Sequence, residues 1–194
     1  DVYKRQPTKV TMEMGLLIEV PDPVRFAIVG IIKSVLPDEK LPLIDIKVAF
    51  LGMIDFQEKR LSFDASIFNS RLIQYTLEGD MALRLSWGQD RGFLMSVGGF
   101  HPTFQPSANL AVPSLRRITV SLSTGNNPRL TLQTYFAITS NTVQFGAKLD
   151  FFLEIKAAVK TFQIVGWAGM DALFQFSPFY FRVDLSIGLA VLNN

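Results

Sequence analysis

The side chain best suited to proton transfer is that of His101, the single histidine of the 194-residue chain, in the motif GFHPTF. An imidazole titrates near neutral pH and could act as the general base of a hydrolase. Catalytic histidines are usually oriented by a carboxylate, and the nearest one in the sequence is Asp90. The flanking aromatic residues and Pro102 favour a loop histidine that packs against the fold or caps a turn. We therefore predict no catalytic residue and keep a hydrolase that uses His101 as an alternative.

Carboxylates are the second group of candidates, because paired carboxylates can exchange protons or bind a cation. Those on the polar sides of the alternating stretches described below are Asp64, Asp80, Asp150 and Asp184. No D-x-D or D-x-N-x-D spacing surrounds them. The basic residues expected near them on neighbouring strands are Lys47, Arg84, Lys148 and Arg182. The pattern is typical of solubilising surface charge.

The counts of cysteine and histidine limit metal and thiol chemistry. The chain has no cysteine, which removes disulfides, thiolate metal sites and cysteine nucleophiles. A single histidine argues against a histidine-based zinc site formed by this chain. We predict no metal site and no cofactor.

Glycine and aromatic stretches are the remaining candidates. SVGGF at 96–100 lacks the G-x-G-x-x-G pattern and a following helix, so it predicts a bend where a strand leaves a sheet rather than a phosphate loop. The FQFSPFYF stretch at 174–181 could grip an apolar ligand or a partner strand, although such clusters more often form core. The candidate residues for an apolar-ligand or partner surface are Phe100, Phe104, Phe174, Phe176, Phe179 and Phe181.

Strands must position all of these side chains, because apolar and polar residues alternate with a period of two along most of the sequence. The clearest runs are 10–20, 44–54, 61–67, 75–87, 118–122, 130–138, 143–155 and 179–189. Side chains on a strand point alternately to its two faces, so each run predicts one wet face and one dry face. Thr142, Gln144, Lys148 and Asp150 are expected on the wet face. The alternation predicts about eleven strands, several of about a dozen residues.

The connections between these runs are short and rich in turn residues, as in VPDP at 20–23, LPDEKLP at 36–42 and GQDRG at 88–92. Such turns are too short for a crossover helix, so consecutive strands should pair antiparallel in a meander. Residues 98–114 differ, because they hold three prolines and lack a clean period. We predict one long loop there, with a short irregular turn inside it.

A meander with one apolar face has to cover that face, and the sequence offers no amphipathic helix to do so. The predicted fold is therefore all-β, a long antiparallel meander that twists and curls around its apolar face. Three forms would cover this face: a flattened barrel, an open trough or half-barrel that holds lipid or another chain, and an outer-membrane-type β-barrel.

Composition narrows the class of partner. Hydrophobic residues make up 48% of the chain and charged residues 19%, which is typical of a folded domain. The formal net charge is only +2, so we predict no nucleic-acid partner. The most apolar stretch, FAIVGIIKSVL at 26–36, is too short for a membrane-spanning helix and contains Lys33.

Several longer motifs resemble a known family. They are GDMALRLSWG, SVGGFHPTFQP, LRRITVSLSTGNNPRL, TSNTVQFGA and DALFQFSPFYF, within residues 16–191. They are similar to segments of large, β-rich bacterial proteins of unknown function. The resemblance implies that the chain is a fragment of a larger protein, and it implies an association with gene neighbourhoods of contractile injection systems. No catalytic residue is carried over from it.

The first six residues, DVYKRQ, have no period and no starting methionine. They resemble the translation of a transposon end used in preparing sequencing libraries. Residues 1–6 are therefore interpreted as adapter sequence at the edge of an assembled fragment, and residues 7–194 as a single β-rich segment. On this interpretation the strand at 10–20 lost an upstream neighbour.

Together these observations predict a non-enzymatic structural or interaction segment of a large bacterial protein, secreted or associated with an extracellular assembly. Its expected partner is the remainder of its own larger chain. The main alternative is a β-trough that binds lipid or another apolar ligand, and a separate protein is a further alternative partner.

Overall fold

The computed structural model describes residues 9–19, 24–36, 40 and 43–193. DVYKRQ at 1–6, the VPDP turn at 20–23 and most of the LPDEKLP turn at 36–42 lie outside the described residues. Within them the chain forms one antiparallel β-sheet with a single short 3₁₀ helix, so the all-β fold class is confirmed. None of the described helices is long and apolar enough to cross a bilayer.

The sheet contains eleven strands over the described residues, as the alternation predicted. They are β1 Lys9–Glu19, β2 Arg25–Leu36, β3 Ile44–Asp55, β4 Arg60–Leu72, β5 Tyr75–Ser86, β6 Gly92–Val97, β7 Ile118–Ser121, β8 Arg129–Thr139, β9 Thr142–Ala157, β10 Lys160–Gln175 and β11 Tyr180–Asn193. The 3₁₀ helix, η1, spans Ala108–Leu110. β9 and β10 have 16 residues each, which confirms the expectation of long strands.

Tight turns join most consecutive strands. Polar side chains stabilise such turns by hydrogen bonds to the turn backbone. In the β3–β4 turn, the carboxylate of Asp55 accepts hydrogen bonds from the backbone N–H groups of Gln57 and Glu58, at 3.0 and 2.9 Å. The strands consequently follow one another in sheet order from β1 to β6 and from β8 to β11, so the meander is confirmed apart from β7.

β6 and β7 share one position in the sheet, between β5 and β8. β6 pairs with the second half of β5, and β7 pairs with Leu77 and Glu78 in the first half. On the other side, β6 and β7 likewise pair with successive parts of β8. The two strands thus run in the same direction in one slot, and β5, β6, β8 and β7 form a partial ring of pairings. Residues 98–117, here called the 98–117 segment, leave the sheet after β6 and return at β7.

The chain leaves the sheet at Gly98. Its φ is +83°, and a Cβ there would lie 2.5 Å from the carbonyl oxygen of Thr134 and 2.9 Å from the backbone nitrogen of Ile118. Only glycine fits both the conformation and the space. Ser96 then closes the bend, because its hydroxyl donates to the carbonyl of Gly99 and accepts from the N–H of Gly99. The bend predicted for SVGGF is confirmed.

The register places the alternating apolar residues on one face of the whole sheet. One row of directly paired residues crosses all ten strand positions: Met14, Gly30, Phe50, Ala65, Met81, Val97, Phe136, Phe145, Ala172 and Val183. Every member is apolar. We call the face that carries this row the apolar face and the opposite one the polar face.

The tightest packing lies on the polar face. The neighbouring row there contains five consecutive buried residues: Ala82, Ser96, Ala137, Gln144 and Leu173. Leu94, beside them, is only 1% exposed. The expectation that Thr142 and Gln144 would be wet is therefore wrong, since both are buried. The reason is that His101 and Leu110 of the 98–117 segment pack into the protein on this side, and both are buried.

An ion pair stabilises the C-terminal end of the 98–117 segment, just before β7. The side chain of Arg116 donates to both carboxylate oxygens of Asp80 at 3.0 Å, and its backbone N–H donates to Oδ2 at 2.8 Å. Ser66 adds a fourth hydrogen bond at 2.8 Å. Burial alone raises the pKa of Asp80, but the hydrogen bonds from Arg116 and Ser66 outweigh it and hold the pKa below the ordinary value.

Asp80→Asn should lower the free energy of unfolding at neutral pH by about 2 kcal/mol, because it removes hydrogen bonds between charged partners. The pKa of Asp80 is lower in the folded than in the unfolded state, so its contribution is complete above the unfolded-state pKa. That contribution is lost as the pH falls through the folded-state value. Urea unfolding of both proteins at pH 7 and about pH 3 measures this, since the unfolded aspartate titrates near about 3.9. The difference should shrink at the acidic pH, and an equal difference at both would contradict the assignment.

Candidate functional site

The first candidate site is the apolar face itself, which the described residues leave largely uncovered at both ends of the sheet. Along β11, Leu185, Ile187 and Leu189 are exposed, with Ile187 at 87%. Along β1, alternate residues such as Met14 and Leu16 are exposed as well. Isolated exposed leucines are common in proteins, but a contiguous apolar surface of this kind usually marks an interaction site.

The aromatic candidates fall into two groups. Phe174 stacks on Phe181 with ring centroids 6.2 Å apart, and Phe145 stacks on the other side of Phe174 at 6.1 Å. Phe179 adds a tilted contact to Phe181 at 6.1 Å. Phe174 and Phe181 are directly paired across β10 and β11, and Phe145 lies diagonally across from Phe174 on β9, so the three rings form an aromatic ladder on the apolar face.

The other aromatic candidates lie outside this ladder. Phe176 is exposed in the turn between β10 and β11. Phe100 and Phe104 contact each other at 5.2 Å within the 98–117 segment, and both are half-buried. The structure therefore unites Phe174, Phe179 and Phe181 in one surface and gives Phe100 and Phe104 a separate place.

An apolar groove lies near the other end of the apolar face. It has a volume of about 420 Å³, and its walls include Leu16, Phe26, Ile28, Ile54 and Phe63. A ring contact in the same area joins Phe26 to Phe56, with centroids 5.8 Å apart. The groove has the size and lining of a small apolar ligand site.

His101 lies on the polar side and is 2% exposed. Its Nδ1 faces the N–H and the hydroxyl of Thr103, at 3.2 and 2.9 Å. Its backbone N–H donates to Oε1 of Gln144 at 2.9 Å. Its Nε2 lies 3.5 Å from Oδ2 of Asp184, a close approach without a well-formed hydrogen bond. These contacts suit a residue that anchors the 98–117 segment, and the predicted absence of a catalytic role stays a prediction.

Asp184 borders a polar cleft of about 330 Å³ on the polar face. Residues from three rows of directly paired positions on β8 to β11 line it. They are Tyr135, Asp171 and Asp184 in the first row, Gln133, Lys148, Gly169 and Ser186 in the second, and Trp167 in the third. Pro102 and Arg117 of the 98–117 segment close one side. The cleft therefore depends on both the register of the sheet and the path of the 98–117 segment.

Hydrogen bonds and ring contacts fix the side chains of this cleft. The hydroxyl of Tyr135 donates to Oδ1 of Asp171 at 2.7 Å, and the guanidinium of Arg117 lies 3.9 Å above the Tyr135 ring. Burial raises the pKa of the Tyr135 phenol, and the nearby Asp171 carboxylate raises it further. The phenol therefore stays protonated and acts as a donor at neutral pH.

The surroundings of the charged side chains in and beside the cleft shift their pKa values. The Arg182 side chain donates to Asp184 at 2.7 Å and holds the pKa of that carboxyl below its usual value. Burial lowers the pKa of Arg117, which nevertheless remains charged at neutral pH. The cleft thus contains fixed positive and negative groups side by side.

The predicted charge partners are present in part. Arg84 binds both carboxylate oxygens of Asp64 at 2.7 and 3.1 Å. Lys148 lies 3.5 Å from Asp150 on the same strand. Lys47 instead contacts Asp45, which is not one of the four predicted carboxylates. Within the described ranges, no group of three metal-ligating side chains comes together.

Sequence reasoning missed most of the cleft. Arg117, Tyr135, Trp167 and Asp171 were not singled out, and Asp184 was interpreted as surface charge. The alternation places each of them on a strand face or strand end, but it does not say which residues are paired across strands. Only the register brings Tyr135 next to Asp171, 36 positions away.

Neither the curated proteins nor the solved structures contain a match to this chain. A family model does match, over residues 5–193, and it confirms the resemblance to a family of unknown function. Since this match spans nearly the whole sequence, the chain belongs to DUF6603, a family of unknown function.

Proposed function

We propose that the chain is a non-enzymatic structural and interaction segment whose apolar face packs against a further β-sheet layer of a larger protein. The observation that carries the proposal is the single apolar face, which the register continues across every strand position and which is exposed at both ends of the sheet. Stable sheets bury such a face against another layer. No segment within the described residues covers its two ends.

The total exposed area supports a missing partner layer. The chain exposes 12934 Å². A monomer of 21.7 kDa is expected to expose about 9,200 Å². Permanent interfaces bury about 2,000–5,000 Å² in total, about half of it on each partner, so the excess of about 3,700 Å² on this chain is large enough for such an interface.

The free edges of the two outer strands also favour a β-rich partner. Within the described residues β1 pairs only with β2, and β11 pairs only with β10. Each therefore presents a row of backbone groups that an added strand could satisfy. A neighbouring β-rich stretch of a longer chain would extend the sheet through these edges and cover its apolar face.

Hydroxyl-radical footprinting tests the proposal. The full-length product of the gene is compared with the chain described here, and labelling of Leu185, Ile187 and Leu189 should fall severalfold in the longer protein. Leu94 is buried and should stay unlabelled in both. Val159, 92% exposed in the β9–β10 turn, should label equally in both. Equal labelling of the three β11 residues, or a gene without further β-rich sequence, would overturn the proposal.

A second candidate function is the binding of lipid or another apolar ligand. The groove of about 420 Å³ beside Phe26 and Phe63 favours it, because its walls are almost wholly apolar. Solvent extraction of the purified protein, followed by mass spectrometry, should then release a stoichiometric lipid, and the extracted protein should bind an apolar dye. Absence of both the lipid and the dye signal would exclude this candidate.

A further inference from the structure

We propose that the polar cleft between β8, β9, β10, β11 and the 98–117 segment binds a neutral saccharide. The cleft lies on the face opposite to the proposed packing surface. Its occupant is therefore separate from the partner layer, and either proposal can fail without the other.

The ring of Trp167 is held on the sheet as a flat platform beside the cleft. The residue directly paired with it on β11 is Gly188, and a Cβ at that position would overlap the indole ring. The indole Nε1 donates to the hydroxyl of Ser186 at 3.1 Å. The ring is thus fixed by contacts along its edge and one face, and it borders the cleft. Flat aromatic rings offer a large, rigid contact surface at low entropic cost.

A second glycine-supported ring stands across the cleft. Tyr135 is directly paired with Gly146, where a Cβ would overlap the phenol ring. Gly169 adds no side chain to the floor of the cleft, where the side chain of the directly paired Lys148 lies beside it. This arrangement makes the surface of an otherwise regular sheet concave, which is the usual form of a small-molecule site.

The polar groups of the cleft include both acceptors and donors. Asp171 uses Oδ1 for Tyr135, while no donor within the described residues bonds its Oδ2. Asp184 supplies a second carboxylate. Lys148 and the amide of Gln133 supply donors, since neither amide atom of Gln133 is bonded within the described part of the chain. A hydroxyl-bearing ligand can satisfy both kinds of group, because each hydroxyl donates and accepts.

Charge balance selects a neutral ligand. The charged residues that line the cleft are two acids, Asp171 and Asp184, and two bases, Arg117 and Lys148. An anion would meet the two carboxylates and a cation would meet the two basic groups. A polyhydroxyl ring meets neither penalty, and its apolar C–H face can stack on an indole. A neutral sugar therefore fits the cleft better than a phosphate ester or an ammonium compound.

Tryptophan fluorescence provides the test, because the chain has only two tryptophans. Trp87 lies outside the cleft, where its ring centroid is 6.5 Å from that of Phe56. Trp87→Phe therefore leaves Trp167 as the sole fluorescent reporter. This protein is titrated with an array of neutral oligosaccharides built from glucose, galactose, mannose, xylose and N-acetylglucosamine. Inorganic phosphate and choline serve as the anion and cation probes. We expect a saturable change with at least one neutral sugar and a far weaker response to both ions.

Two variants locate the binding. In the Trp87→Phe background, Asp171→Asn and Gln133→Ala should each weaken the selected sugar by about tenfold. Asp90→Asn, which changes a carboxylate outside the cleft, should bind as the parent does. Circular dichroism checks that each variant folds, and Gln133→Ala decides the matter if Asp171→Asn does not fold. No saturable change with any sugar, preferential binding of phosphate or choline, or unchanged affinity in folded Gln133→Ala would overturn the proposal.

Discussion

Leu94→Ala is expected to lower the free energy of unfolding by about 2–5 kcal/mol, as for other buried leucines truncated to alanine. Leu94 is 1% exposed on the polar face, beneath the 98–117 segment. Its truncation should leave a cavity that the surrounding backbone cannot close, because β6 is held by β5 on one side and by β8 on the other. Urea unfolding followed by circular dichroism measures the change.

Leu185→Ala is the matched control for this prediction. Leu185 also belongs to a strand of the same sheet, but it is exposed on the apolar face. We expect a change within about 0.5 kcal/mol for the chain alone, as is usual for surface substitutions. If Leu185→Ala destabilised the protein as much as Leu94→Ala, the assignment of the packed core to the polar side would be wrong.

Gly98→Ala is expected to destabilise the protein by about 3 kcal/mol or more, because two effects add. A residue with a Cβ is strained at a φ of +83° by about 1–2 kcal/mol. The added Cβ would also lie 2.5 Å from the Thr134 carbonyl oxygen and 2.9 Å from the Ile118 nitrogen. Both contacts are with backbone, so neither can be relieved by a rotamer change. A large fall in the midpoint of thermal unfolding should report the effect.

Gly125→Ala is the control for the glycine substitution. Nothing lies within 4 Å of a Cβ at Gly125, and its φ is not in the positive range. We expect little change or a gain of up to about 1 kcal/mol, because alanine reduces the entropy of the unfolded chain. Similar thermal midpoints for Gly98→Ala and Gly125→Ala would show that the chain does not need glycine where it leaves the sheet.

Much of the fold follows from the sequence because β-structure has a strict period. The run at 143–155, for example, alternates so regularly that its dry parity matches the apolar face of β9. Short turns then force neighbours in sequence to be neighbours in the sheet. The antiparallel meander and the single apolar face need no more information than these two features.

Burial could not be derived in the same way. Gln144 has the parity of a wet residue, yet it is 0% exposed and its amide oxygen holds the backbone of His101. Periodicity states which residues share a face, but it does not state which face an irregular segment will cover. The path of the 98–117 segment depends on single contacts such as Arg116 with Asp80, and these have no sequence period.

The polar cleft could not be predicted from the sequence for a related reason. Most of its groups come from β8, β9, β10 and β11, where each is a common residue type on an ordinary strand, and Pro102 and Arg117 come from the 98–117 segment. Only when the register aligns Tyr135, Asp171 and Asp184 in one row does a shared environment arise. A one-residue slip of any of these strands would turn its contribution to the opposite face.

The shared slot of β6 and β7 has a consequence for cooperativity. In this sheet each strand touches only its immediate neighbours, so stability passes along it as it does along the units of a repeat protein. The strands β1 to β5 and β8 to β11 are two such series, and within the described residues β6 and β7 link them by pairing with both β5 and β8. Local opening should therefore begin at the outer strands and end at this link. The short central strands, rather than the long outer ones, make the two halves unfold as one molecule.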